Sequence, residues 1–163
     1  MIRNATTADA VAIADLYDHY VRHTTITFEV DPVPAADIAR RIGAVLDADL
    51  PWLVWDEDGT VVGFAYAAPY RPRAAYSQTV EVSIYLAHGE LGRGIGRALY
   101  EELLQRLRKL PLHLALSLIA LPNDASVALH ERLGFTHAGT FNEVGRKFDQ
   151  WVDVGHWQLP LGA

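Results

Sequence analysis

Leu91-Gly92-Arg93-Gly94-Ile95-Gly96 runs straight into an amphipathic stretch in which Ile95, Leu99, Leu103 and Leu107 recur at i,i+4 spacing beside Leu104. Glycine allows close backbone approach to a ligand and positive φ. The first turn of a helix adds unpaired N–H groups and the positive end of a dipole. Together they make a phosphate cradle. A P-loop would need Gly-Lys-Ser/Thr, but Gly96 is followed by Arg97 and Ala98. A dinucleotide fingerprint needs Gly-x-Gly-x-x-Gly, and counting from Gly92 or Gly94 puts Arg97 or Leu99 at the third glycine. A second chemical candidate is Glu81. The strand Gln78–Leu86 alternates Val80, Val82, Ile84 and Leu86 on one face with Thr79, Glu81, Ser83 and Tyr85 on the other. Apolar neighbours would desolvate this carboxylate and raise its pKa toward that of a useful general base. The alternative is a glutamate on a solvated strand face.

The elements that must position these groups follow from periodicity. Ile2–Ala5 reads as a short strand, and Thr7 as an N-cap with Asp9 in the first turn. Ile13, Leu16, Tyr17, Tyr20 and Val21 mark a first helix, then Thr24–Val30 a loop. A second helix starts at Pro34 and carries Ile38, Ile42, Val45 and Leu46. Trp52–Trp55 and Val61–Ala67 form a hairpin about Asp56–Gly59. The third helix is Gly94–Lys109, followed by a strand His113–Ile119 and a helix opened by Pro122-Asn123-Asp124. Phe135–Phe141 and Trp151–Leu159 are two last strands. The order is β-α-α-β-β-β-α-β-α-β-β, with a parallel crossover across Gln78–Ile119.

The 163 residues are 50% hydrophobic, enough for one domain over 1–163. Fourteen basic residues stand against 20 acidic, a net charge of −6, and no basic run tracks a nucleic-acid backbone. The absence of cysteine excludes a disulfide scaffold and thiol catalysis. Met1-Ile2-Arg3 leads into polar residues rather than a signal-peptide core, and no apolar run reaches the roughly 18 residues of a membrane span. The expectation is a cytoplasmic protein without nucleic-acid or membrane partners. No pair of histidines at helical spacing has a matching third ligand, so no metal is expected.

Strand, Gly-x-Gly-x-Gly and amphipathic helix together resemble the acetyl-CoA pyrophosphate loop of the GNAT superfamily of N-acetyltransferases. That loop usually reads Gln/Arg-x-x-Gly-x-Gly/Ala. Gly94 and Gly96 match, whereas Leu91 stands where Gln or Arg is usual. The resemblance spans nearly the whole chain. Thr27-Phe28-Glu29, Pro51–Val54, Ala65-Tyr66-Ala67, Thr79-Val80-Glu81, Leu121–Glu131, Leu133-Gly134-Phe135 and Trp151–Gly155 occur in the order seen in the phosphinothricin N-acetyltransferase branch, which includes methionine sulfoximine acetyltransferases. It implies an α/β (α+β) fold: a mixed, mostly antiparallel sheet splayed between two parallel strands and flanked by about four helices. It also implies acetyl-CoA as cofactor, a small amino-acid-like amine as acceptor, and a homodimer.

The resemblance places the catalytic acid of the family at Glu81. Many members have a tyrosine four residues before the Gly-Phe pair, proposed to protonate the leaving thiolate; here that position is His130. His130 is open to three readings: acid, auxiliary base beside Glu81, or a helix-packing histidine. His19, His23, His88, His113, His137 and His156 have no comparable placement. The coenzyme is expected on the backbone of Ile84, Tyr85 and Leu86, with the Leu86 N–H free for the oxyanion. It is further expected on the loop Leu91, Gly92, Arg93, Gly94, Ile95, Gly96 and Arg97, where Arg93 or Arg97 replaces the anchor missing at Leu91, and on Asn123, whose other role is an N-cap. On the acceptor side, Arg73, Ala74 and Tyr76 are expected to clamp a carboxylate, with a solvated loop arginine as the alternative for Arg73. Phe28 and Glu29 wall the pocket, and Lys147 and Trp151 border it or a dimer contact, with core packing the favoured reading for Trp151. Two other readings stay open: transfer to a protein N-terminus or lysine, and a non-catalytic acyl-CoA-binding sensor, against which Glu81 and His130 argue.

Overall fold

The computed structural model describes residues 1–162. Its strands are β1 (Ile2–Asn4), β2 (Trp52–Glu57), β3 (Thr60–Pro69), β4 (Thr79–Leu86), β5 (Leu114–Leu121), β6 (Thr136–Lys147) and β7 (Gln150–Pro160). Its α-helices are α1 (Ala10–His23), α2 (Ala35–Asp47), α3 (Ile95–Leu107) and α4 (Asp124–Arg132). All seven strands join one sheet in the order β1-β2-β3-β4-β5-β7-β6. Every pairing is antiparallel except β4 with β5. The expected order and parallel crossover are therefore present.

Local chemistry explains most boundaries. Asp58 (φ 50°) and Gly59 (φ 89°) make the two-residue left-handed turn that suits a β-hairpin, so β2 and β3 run right up to it. The cap expected at Thr7 sits one residue earlier. Asp9 turns back to accept the Thr6 N–H at 2.8 Å, and its carboxylate also takes the Arg3 guanidinium at 2.7 Å, which fills Thr7–Asp9 with a 3₁₀ turn before α1. Pro34 likewise precedes the first residue of α2.

Helices cover both faces. Tyr17 of α1 packs edge-on against Phe64 and Tyr85, and α2 closes over Trp52 and Tyr66 on that same face. On the other face, Leu99, Leu103 and Leu107 of α3 are fully buried, and Gly96 sits against Ile84, Leu86 and Leu129. The last hairpin departs from expectation. β6 continues to Lys147, past the expected end at Phe141, through register shifts at His137/Gly139 and Phe141/Gly145. Its turn, Phe148-Asp149, takes positive φ without a glycine. Trp151, expected in the core, is 62% exposed with the Arg146 guanidinium over its ring.

Candidate active site

Pairing between β4 and β5 covers only Thr79–Glu81 against Leu114–Leu116, after which the strands diverge. The phase of the β3–β4 ladder decides what faces the gap. Ala87 N–H donates to Val62 C=O, so alternate residues Ile84 and Leu86 turn their polar groups away from β3, while those of Tyr85 point toward Phe64. Of the three expected backbone contacts, Tyr85 therefore presents its side chain but not its amide. Leu86 departs from expectation differently. The Tyr20 hydroxyl donates to its C=O at 2.6 Å and accepts its N–H at 3.3 Å, so this N–H is not idle as an oxyanion donor. A cavity of about 40 Å³ occupies the wedge, lined by Ile84, Ser117, Ile119, Asn123 and His130 among others. Asn123 also caps α4, its Oδ1 accepting the Ser126 N–H at 3.2 Å, so it holds both expected positions.

At the mouth of the wedge, Gly92 (φ 82°) and Gly94 (φ 81°) are left-handed, and Gly94 is the N-cap of α3. A Cβ added at either would meet nothing within 4 Å. The glycines thus shape the backbone and keep open the space before the helix start, as a diphosphate cradle requires. Leu91 is 70% exposed. Arg93 is held by Glu57 at 2.8 Å and by Glu90, and Arg97 by Glu101 at 2.7 Å. Such exposed pairs contribute little and exchange readily. Both guanidinium groups are thus engaged by acidic neighbours in this structure.

Glu81 opens onto a larger cavity of about 410 Å³ on the α1 face, with Thr27, Phe28, Arg71, Ser83, Leu118, Phe141 and His156 among its lining. Burial pushes its carboxyl pKa up, and the fields of Arg71 and His156 oppose that rise. Both the rise and the cleft agree with the strand alternation. His130 lies on the opposite face, packed between α4 and α3 and 1% exposed. Its Nδ1 is 2.7 Å from the Ser126 carbonyl, which can only accept, so Nδ1 carries the proton. Nε2 is then the acceptor for Ser117 Oγ at 2.8 Å or Tyr100 Oη at 3.1 Å. Burial pulls the imidazole pKa down, keeping it neutral. Glu81 and His130 thus sit on opposite faces of the sheet. Their two cavities adjoin where the sheet is open between β4 and β5, sharing Ile26, Ser83, Tyr85, Leu118 and Ala120.

The acceptor-side residues divide. Phe28 lines the larger cavity, on a loop tied down at three points. Tyr17 Oη bonds Thr27 Oγ1, Lys147 Nζ donates to the Thr27 carbonyl at 2.8 Å, and Arg41 pairs with Glu29 at 2.7 Å. The Phe28 ring lies where a Cβ at Gly145 would be, so glycine there is a condition of this loop position. Lys147 is 3% exposed and anchors the loop from below instead of bordering the cavity. Arg73, Ala74 and Tyr76 are exposed and outside the lining; Arg73 leads a 3₁₀ turn, and Tyr76 backs Tyr70. Arg71, with its guanidinium over the Tyr70 ring, takes the place expected of Arg73. His156 enters from β7. No local signal in the sequence singled out either residue. His19 stacks between His23 and His88, at centroid distances of 5.3 and 4.6 Å, yet no group of three or more His, Cys, Asp or Glu among the described residues is placed to hold a metal ion.

Residues 13–135 match the acetyltransferase (GNAT) family model. A phosphinothricin N-acetyltransferase of Streptomyces viridochromogenes is 40% identical over 96% of this chain and 85% of its own. An L-methionine sulfoximine/L-methionine sulfone acetyltransferase of Pseudomonas paraeruginosa is 36% identical over 98% of this chain and 94% of its own. The crystal structure of a Sinorhizobium meliloti GNAT phosphinothricin acetyltransferase in complex with acetyl-CoA superposes with a TM-score of 0.95 at 37% identity, covering 99% of this chain and 88% of that one. With a glycine cradle, a splayed sheet and a buried carboxylate already in place, these likenesses show that the chain belongs to the GNAT acetyltransferase family, in the branch of the phosphinothricin and methionine sulfoximine acetyltransferases.

Proposed function

We propose that this acetyl-CoA-dependent N-acetyltransferase acetylates the α-amine of a small amino acid with an oxygenated side chain, of the phosphinothricin or methionine sulfoximine type. The observation that carries the reading is the 410 Å³ cavity in which Glu81, desolvated, sits with Arg71 beside the β4–β5 wedge. Acetyl-CoA supplies the activated acyl group as a thioester. Glu81, as carboxylate, takes a proton from the incoming ammonium and frees its lone pair. The nitrogen then bonds the acyl carbon and gives up its second proton, the carbon–sulfur bond breaks, and that proton passes to the sulfur, so that the coenzyme leaves as thiol. Arg71 offers a planar fork to the acceptor carboxylate. His130 serves as an auxiliary base, because a neutral ring whose Nδ1–H is committed to Ser126 has a proton acceptor and no acid to offer at Nε2.

The test is thiol release from acetyl-CoA with methionine sulfoximine, phosphinothricin and a panel of short peptides. Release with the amino acids and none with the peptides is expected. The reverse pattern overturns the acceptor class, and acetyl-CoA binding without release to any of them favours a sensor module.

The same reading includes a homodimer. Its support is the row of exposed apolar side chains Phe141, Val144, Phe148 and Trp151 along the β6–β7 hairpin, each more than half accessible. Sedimentation should give twice the 18.0 kDa chain mass; a single-chain value at micromolar concentration would remove the dimer.

A further inference from the structure

The acceptor cavity holds a histidine that the proposed chemistry does not use. His156 of β7 pairs in register with Leu118 of β5, and Glu81 of β4 pairs with Leu116 of the same strand. Cross-strand partners share a face, so His156 and Glu81 point to the same side of the sheet. One strand lies between them, and two strand spacings with a two-residue offset along β5 give a backbone separation of roughly 12 Å. A small amino acid whose amine meets Glu81 extends its side chain across that interval. The strip between is apolar, Leu118 and Ala120, with Val154 and Phe141 beyond.

His156 is built to meet something arriving there. Its ring lies against Phe141, centroids 4.5 Å apart and planes tilted by 58°, which fixes one side of the imidazole. It is half-buried, and among the described residues no hydrogen bond ties either ring nitrogen to the chain. The contrast is His130, with partners on both nitrogens. An imidazole offers a donor on one nitrogen and an acceptor on the other. That suits a sulfoximine, sulfone or phosphinate group and gives nothing to a bare thioether.

We infer that His156 determines acceptor specificity by hydrogen-bonding the polar end of the acceptor's side chain, across the cavity from Glu81 and Arg71. The inference rests on the amino-acid reading above and concerns only the far end of the acceptor. Phe141 positions the ring and does not touch the reacting atoms.

The experiment compares kcat/KM for methionine sulfone, phosphinothricin and methionine in the unmodified protein, His156→Leu and His156→Gln. His156→Leu should cut the preference for the oxygenated acceptors over methionine about tenfold, the worth of one hydrogen bond. The loss should appear in KM for those acceptors, with the acetyl-CoA KM within about twofold. His156→Gln, which keeps a donor and an acceptor, should restore part of the preference. An equal loss for all three acceptors in both variants would show a merely structural role and overturn the inference. So would an unchanged preference. Absence of release by the unmodified protein with every amino acid overturns the acceptor class itself, and this assignment with it.

Discussion

Glu81→Gln should lower kcat by about 10²- to 10⁴-fold, the usual worth of a positioned general base, while the acetyl-CoA dissociation constant stays within about twofold. Glutamine keeps the size of the side chain and loses the ability to take a proton. Glu81 lies on the acceptor face at the last pair of the β4–β5 ladder, and the coenzyme's expected backbone contacts lie further along β4, which separates the two effects. In the unmodified enzyme kcat/KM should rise with pH through the elevated pKa of Glu81, because only the carboxylate is a base. The stability effect has the opposite sign. A carboxyl whose folded pKa is raised stabilises the fold fully below its unfolded value, and that contribution is lost as pH rises through the folded pKa. At pH 7 the half-buried charge is thus a net cost, and Glu81→Gln should melt at a higher temperature than the parent. Steady-state kinetics, calorimetric titration and thermal melts check the three parts. Undiminished kcat would take Glu81 out of the chemistry, and a lower melting temperature would mean that its charge is compensated by contacts other than Arg71 and His156.

Gly94→Val should raise the acetyl-CoA dissociation constant at least about tenfold, with kcat at saturating coenzyme little changed. Two causes act together. At φ 81°, a residue with a Cβ is strained by about 1–3 kcal/mol, and a β-branched one sits at the upper end. The valine would relax the turn and swing the first N–H groups of α3 off the cradle. Nothing in the chain lies within 4 Å of the added Cβ, so the protein itself does not resist the side chain. The side chain would instead fill the space in front of the helix start, where the phosphates belong. Calorimetric titration with acetyl-CoA is the measurement. Unaltered affinity would mean that the diphosphate binds away from the α3 N-terminus.

Much of the cofactor half of the site was legible because it is local. The glycine loop, the α3 stripe, the alternation of β4 and the N-cap at Asn123 each lie within a short window where period and turn chemistry speak directly. The acceptor half is non-local. His156 comes to the same face as Glu81 only through cross-strand register on both sides of β5, a relation between distant segments that leaves no periodic trace. Arg71 and Arg73 are the same residue type two positions apart in a loop where no period applies, so nothing local distinguished the one that lines the cavity. Lys147 was placed by a sequence pattern that says nothing of burial, and its burial with the ammonium on the Thr27 carbonyl makes it a tether. Trp151, expected in the core, is turned outward by its place on β7. The engagement of Leu86 by Tyr20 joins residues 66 apart in sequence, beyond the reach of any local pattern.

The brief contact between β4 and β5 has a mechanical consequence. Strands β1–β4 form one panel and β5–β7 the other, and the ladder between them runs only along Thr79–Glu81 and Leu114–Leu116. Above that stitch the strands diverge, and the β4 edge at Ile84 has no strand partner. An unpaired edge on the rim of a sheet recruits other chains; one enclosed between two panels admits only something thin, extended and amide-bearing. The pantetheine arm of the coenzyme has that form, and on the reading proposed above it fills the gap as an extra strand, so that the stability of the sheet should rise with the amount of acetyl-CoA present.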